Sequence, residues 1–151
     1  HVAGWLSPEN QAYADEQWER LDHCGLQGSY QYEGAVDREA KLEFFRNIDL
    51  LSVPTSFQEP KGLYALEAMA AGVPVVLPSH GAFPELLEAS GGGLLFEPEN
   101  ETELAKTLSE LLLDGERRLK LGGLGQRFIH QHRNASVMAE STSEIIKKFL
   151  V

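Results

Sequence analysis

At 151 residues, 42% hydrophobic and 24% charged, the chain has the length and balance of one soluble globular domain with a buried core, which sets aside disordered and collagen-like classes. Its 13 basic and 23 acidic residues leave a formal net charge of −10, a field that opposes nucleic acid or anionic membrane as principal partner and leaves small ligands open. The single cysteine, Cys24, excludes an internal disulfide and any CxxC metal or redox motif, and reads as a reduced cytosolic thiol.

In chain order, strands are expected near Val2–Gly4, Ser29–Tyr32, Ile48–Val53, Val73–Leu77 and Gly93–Phe96. Helices fall between them at about Pro8–Asp22, Asp37–Asn47, Leu63–Ala71 and Ala82–Ala89, and three more, about Glu101–Leu113, Glu116–Gln131 and Ser136–Phe149, form a C-terminal helical tail. The alternation predicts an α/β fold, a Rossmann-like parallel sheet sandwiched by helices. Asn100 followed by Glu103 has the spacing of a helix N-terminal cap, and Gly72 and Pro74 end one helix before a strand. Glu67, Gly72 and Pro74 interrupt the longest apolar stretch, so no membrane span is expected, and with no basic n-region and following h-region at the start no signal peptide is expected; a cytoplasmic location is expected. The sequons "NET" at Asn100 and "NAS" at Asn134 read as chance matches. Because "HVAG" would begin inside a strand with no lead-in, the chain is expected to be cut from something longer.

The stretch "EPKGLYALEAMAAGVPVV", Glu59 to Val76, carries the chemistry. It completes a βαβ unit, and ligands of open parallel sheets lie beyond the carboxyl ends of the strands, where Glu59, Pro60, Lys61 and Gly62 fall at a helix start. A helix N-terminus suits phosphate, and Gly62 would let a ligand approach the backbone. Leu63, Leu66, Met69 and Ala70 are expected to face the sheet, with Ala65, Ala68 and Ala71 covered as well. Glu67 is the only Asp, Glu, Lys or Arg between Gly62 and Pro84, a charge set among core-forming side chains and expensive to bury without a partner. It lies one turn into the helix, and its carboxylate has acceptors for the two hydroxyls of a ribose diol. The alternatives are that Glu67 pairs with a Lys or Arg elsewhere or reaches solvent past the alanines, and that Glu59 is a surface acid complementing the helix dipole.

Two glutamates separated by seven residues, "EPKGLYALE", followed by "AMAAGVPVV" and the Gly81 to Glu85 segment, resemble the retaining glycosyltransferases of the GT-B fold, the large group often called family 4. The likeness extends upstream through "YEGAVDREAKLEFFRNIDLLSVPTSFQEP" and downstream through "GGLLFEPENETELAKTLSELLLD". It implies the C-terminal, donor-binding half of a GT-B enzyme with a nucleoside-diphosphate sugar as substrate and no cofactor. By that resemblance Glu59 is the catalytic-site residue that contacts donor-sugar hydroxyls, the backbone around Lys61, Gly62 and Leu63 holds the distal phosphate, and Glu67 binds the ribose diol. Gly34 and Val36 would lie near the nucleobase, with an ordinary turn glycine and core valine as the alternative.

The family's "G-R-L-x-x-x-K-G" segment, whose Arg and Lys neutralise the diphosphate, has no counterpart in this sequence, nor does the N-terminal acceptor domain. This chain alone is therefore expected to be inactive. The resemblance implies hexosyl transfer to a glycan or lipid-linked acceptor in cell-envelope polysaccharide synthesis, with any membrane association residing in the absent domain. A nucleotide-sugar epimerase of the same fold and a non-enzymatic flavodoxin-like module are the alternatives. Hydrolysis through the two glutamates is rejected, because Glu67 in the clamp role sits by the ribose. No metal is expected, since His130 and His132 point to different sides of a helix. "GGLGQ" from Gly122 is no dinucleotide fingerprint, Trp5 and Trp18 read as packing residues, and His80 is either a loop histidine or one that approaches the donor sugar.

Overall fold

The computed structural model describes residues 1–149, and the chain divides into two compact units, His1–Phe44 and Phe45–Val151. In the first unit, strand β1 (Val2–Ala3) pairs in parallel with β2 (Tyr32–Gly34), and a 3-10 turn at Pro8–Asn10 leads into helix α1 (Gln11–His23). The second strand, expected at Ser29–Tyr32, begins later, because the Ser29 N–H closes a turn onto the Leu26 carbonyl at 2.9 Å. Trp18 stacks on Tyr30 with ring centroids 5.2 Å apart, which confirms a packing role. The division between the units falls within helix α2 (Arg38–Arg46), whose start is capped by the Asp37 carboxylate accepting from the Ala40 N–H at 2.9 Å.

The second unit is built on strands β3 (Leu51–Ser52), β4 (Val75–Pro78) and β5 (Gly93–Phe96), all parallel and in that spatial order. Central β4, "VVLP", is buried at every position, the continuous apolar run that a strand covered on both faces requires. Helices α3 (Leu63–Ala70) and α4 (Phe83–Ser90) follow β3 and β4 as crossovers. Helix α5 (Glu101–Leu113) starts as its spacing predicts, the Glu103 N–H donating to Asn100 Oδ1 at 3.0 Å. Leu111, fully buried, carries α5 onto Val76 and Phe96 to close one core cluster.

Helix α6 (Gly115–His132) is capped by Asp114, which accepts from the Arg117 N–H at 2.9 Å, and α7 (Ala135–Phe149) completes the described chain. The tail is thus only partly peripheral: α6 packs against α3, α4, α5 and β5, whereas α7 buries none of its residues. The "GGLGQ" glycines explain how α6 comes so close. A Cβ on Gly122 would overlap the Gly72 carbonyl oxygen, and one on Gly125 would sit 3.2 Å from both Gly92 Cα and the Met69 side chain.

Gly122→Ala should therefore destabilise the fold by about 2 kcal/mol or more, even though alanine is the better helix former by about 1 kcal/mol. Gly123→Ala, on the same helix with only the Arg127 guanidinium 3.4 Å away, should be neutral or stabilising by a few tenths to about 1 kcal/mol. Denaturant unfolding of the two variants checks the contrast.

Candidate functional site

The segment from Pro54 to Gly62 leaves the carboxyl end of β3 and delivers the chain to α3. It is ordered by its own hydrogen bonds and by the β4–α4 turn. Thr55 Oγ1 accepts from the Phe57 N–H at 3.0 Å, and Glu59 Oε1 accepts from the Lys61 N–H at 3.4 Å. From the turn, His80 Nε2 lies 3.0 Å from the Thr55 carbonyl and the Ala82 N–H donates to the Glu59 carbonyl at 3.0 Å. Gly81, at φ +59°, passes so close that a Cβ there would lie 2.6 Å from the Glu59 carbonyl oxygen.

Gly62 caps α3 in the left-handed conformation, φ +60° and ψ +50°, and no side chain caps the helix end. The group that approaches Gly62 is the protein's own Phe83: a Cβ would lie 2.6 Å from its Cε1. Glycine is required there from beneath, by the core, whatever lies above. Glu59 is half-buried and Lys61 exposed, so the segment offers one partly sheltered carboxylate beside a solvated ammonium.

Two expectations about α3 are corrected. The face turned to the core carries Ala65, Ala68 and Met69, each fully buried, while Leu63 is 62% exposed and does not face the sheet; Leu66 and Ala70 are only half-buried. Glu67 is exposed, not enclosed by core side chains. At 100° per residue Leu63, Leu66, Glu67 and Ala70 share the outer face of the helix. The apolar composition of that face hid its exposure, and Glu67 carries no burial penalty that a ligand would have to relieve.

The structure brings Glu59, Lys61, Gly62 and Leu63 together at one turn, with Glu67 one helical turn further on. Gly34 and Val36 belong to the first unit. Gly34 is the last residue of β2 rather than part of the following loop, at φ +70°, and Val36 is half-buried rather than a core valine. A cleft of about 260 Å³ beside the α3 start is lined by Pro60, Lys61, Leu63, Leu66, Glu85 and Arg133, among others. Sequence alone does not single out Arg133, since nothing near it in the chain marks it. Among the described residues, no group of three or more His, Cys, Asp or Glu is gathered to hold a metal, and no helix is long and apolar enough to cross a membrane.

Tyr64 and His80 are the further polar residues of this region. Both rings lie near Phe83, with centroids 6.2 Å and 6.3 Å from it. Tyr64 Oη and His80 Nδ1 are buried with no hydrogen-bond partner among the described residues. Burial, and secondarily the negative charge of Glu59, raise the Tyr64 phenol above its ordinary value of 10.0.

The sequence matches the family described as "Glycosyl transferases group 1" over residues 1–127. The chain belongs to this glycosyltransferase family. Among its relatives, D-inositol 3-phosphate glycosyltransferase of Corynebacterium jeikeium is 37% identical over 101 residues, covering 67% of this chain and 24% of that protein. The C-terminal domain of the group 1 family protein LpcC from Francisella tularensis superposes with a TM-score of 0.77 at 25% identity, over 85% of this chain and 66% of that one. Anabaena Alr3699/HepE, solved in complex with UDP and glucose, gives a TM-score of 0.86 at 23% identity, over 97% of this chain and 39% of that one. Both structures share with this chain the α/β fold with parallel sheets flanked by helices. The group 1 chain described here spans about a quarter of the curated relative's length.

A buried hydroxyl without a partner costs the fold about 1–3 kcal/mol, so Tyr64→Phe should leave the melting temperature unchanged or raise it. Because the folded-state phenol titrates above 10.0, the folded form retains its proton where the unfolded chain has lost it. Stability present below pH 10.0 should be lost as pH rises through and beyond that value, and Tyr64→Phe should lose less of it. Thermal melts between neutral and alkaline pH test both expectations.

Proposed function

We propose that the chain is the donor-binding domain of a retaining glycosyltransferase, which moves a hexosyl group from a nucleoside-diphosphate sugar to a glycan or lipid-linked acceptor. The observation that carries the reading is the α3 start of a group 1 family member. Half-buried Glu59, the uncapped amides after left-handed Gly62 and outward-facing Glu67 lie in sequence along one turn and the next. Glu59 contacts donor-sugar hydroxyls, the backbone at Lys61, Gly62 and Leu63 holds the distal phosphate, and Glu67 accepts from the ribose diol. The exposure of Glu67 suits this role better than burial would, since its carboxylate lies on the outer face of the helix, where a nucleotide can dock. The UDP and glucose bound in the Anabaena structure fit a donor of this class.

In such a transfer, negative charge grows on the departing phosphate as the new glycosidic bond forms on the same face of the sugar. Preorganised N–H groups at a helix start stabilise that charge, and neither glutamate acts as a nucleophile. The reading calls for no metal or organic cofactor. On this reading the acceptor is held by a separate domain, the Arg and Lys that neutralise the diphosphate lie outside this sequence, and the domain alone is inactive. The location proposed is the cytoplasm, at the inner face of the membrane if the acceptor is a lipid.

Calorimetric titration with UDP, GDP and ADP tests the reading. One of the three should bind saturably, and Glu67→Ala should weaken it about tenfold or more, as expected for loss of a hydrogen-bonded carboxylate worth about 1.4 kcal/mol or above. Binding of none of the three, here and in a longer chain that restores the Arg and Lys, would remove the donor-site reading.

A further inference from the structure

The β4–α4 turn grips the Pro54–Gly62 segment at two points, and His80 makes the one grip that comes from a side chain. The chemistry of that contact fixes the ring. A carbonyl oxygen only accepts, so His80 Nε2 carries the hydrogen and donates it to Thr55. Nδ1 is then the acceptor of the neutral ring, and it is buried without a partner among the described residues. A buried acceptor left unsatisfied is unfavourable by itself, and the Nε2–H contact with Thr55 is the one hydrogen bond the ring makes among the described residues.

Thr55 is the residue through which that contact spreads. Its carbonyl is held by His80 while its hydroxyl accepts from the Phe57 N–H, so the contact orders the chain immediately before Glu59. At the far end, the Ala82 N–H holds the Glu59 carbonyl, and Gly81 lies against the Glu59 backbone, with a Cβ there 2.9 Å from its nitrogen. The stretch from Thr55 to Glu59 is thereby held at both ends by three consecutive residues of one turn, His80 at Thr55 and Gly81 and Ala82 at Glu59.

We infer that His80 is a positioning residue, which sets the Glu59 carboxylate by clamping Thr55 to the β4–α4 turn. The inference rests on the donor-site reading for the role of Glu59 in sugar recognition, while the clamp itself is independent of any ligand. His80 does not touch the donor on this account. It acts through Thr55, and its effect is confined to the sugar end of the site, leaving the ribose contact at Glu67 alone.

Two substitutions separate the clamp from general packing. His80→Gln keeps an N–H at the reach of Nε2, whereas His80→Asn places its amide at the reach of Nδ1 and falls short of Thr55. The chain and both variants are titrated with whichever of UDP, GDP and ADP binds, and with the matching UDP-glucose, GDP-mannose or ADP-glucose. His80→Asn should weaken the nucleotide sugar about tenfold and leave the nucleoside diphosphate within about twofold, and His80→Gln should restore most of the difference. Equal weakening of both ligands, unchanged sugar affinity, or no restoration by Gln overturns the inference. Amide hydrogen exchange is read in parallel without ligand: Phe57 and Ala82 should exchange faster in His80→Asn and return toward the original rates in His80→Gln. Unchanged exchange overturns the clamp outright. If no nucleotide binds even the unsubstituted chain, the donor-site reading fails on that result, and the exchange rates still decide the clamp.

Discussion

The second unit depends on the close approach of α6 to the α3–β4 turn. Helix α6 reaches the layer beneath it only because Gly122 lies against the Gly72 carbonyl and Gly125 against Gly92 and Met69. Met69 is at once a core residue of α3 and the surface on which Gly125 rests, so one contact seats both helices. Gln126 and His130 extend it, with Gln126 Nε2 donating to the Ala70 carbonyl at 3.3 Å and His130 Nε2 lying 3.2 Å from the same oxygen, at the end where α3 has run out of intrahelical partners. Helix α3 is only eight residues long, too short to stand by propensity, and its orientation is therefore set by packing. Everything proposed for Glu59 and Glu67 inherits that orientation.

The same helix shows what sequence reasoning reaches and where it stops. Strand β5 and helix α5 are legible to the residue, because Gly93 and Phe96 bound a plain apolar run and Asn100 with Glu103 marks a cap that forms as its spacing predicts. Strand β3 is shorter than its apolar run: only Leu51 and Ser52 find register partners, on Val75 and Val76, and pairing range is a property of the neighbour rather than of the strand. On α3 the composition misleads. Leucine and alanine on every side leave no polar stripe to mark solvent, so the face bearing Leu63 and Glu67 cannot be told from the face bearing Ala65, Ala68 and Met69. Which side an all-apolar helix buries is decided by the partner, here β4 and α6.

For the candidate site, sequence reasoning proposes a segment and its residues, but the forces that hold that segment are not visible there. Phe83 under Gly62, Gly81 against Glu59 and His80 on Thr55 are contacts across twenty or more residues of chain. A glycine before a helix reads as room for a ligand, yet the constraint at Gly62 comes from a fully buried phenylalanine. The family match covers residues 1–127 as a whole, and the geometry at the α3 start is what distinguishes one segment within it.

The contacts of the Pro54–Gly62 segment with the β4–α4 turn run mainly through backbone atoms: the Thr55 and Glu59 carbonyls, the Ala82 amide and the space left by Gly81. Phe57, Gln58 and Lys61 project from it into solvent, and their side chains take no part in that framework. Shape and decoration are therefore separable here. Substitution of those outward side chains can change what the segment presents to solvent while the loop keeps its course, so that its surface chemistry is free to vary without a cost in folding.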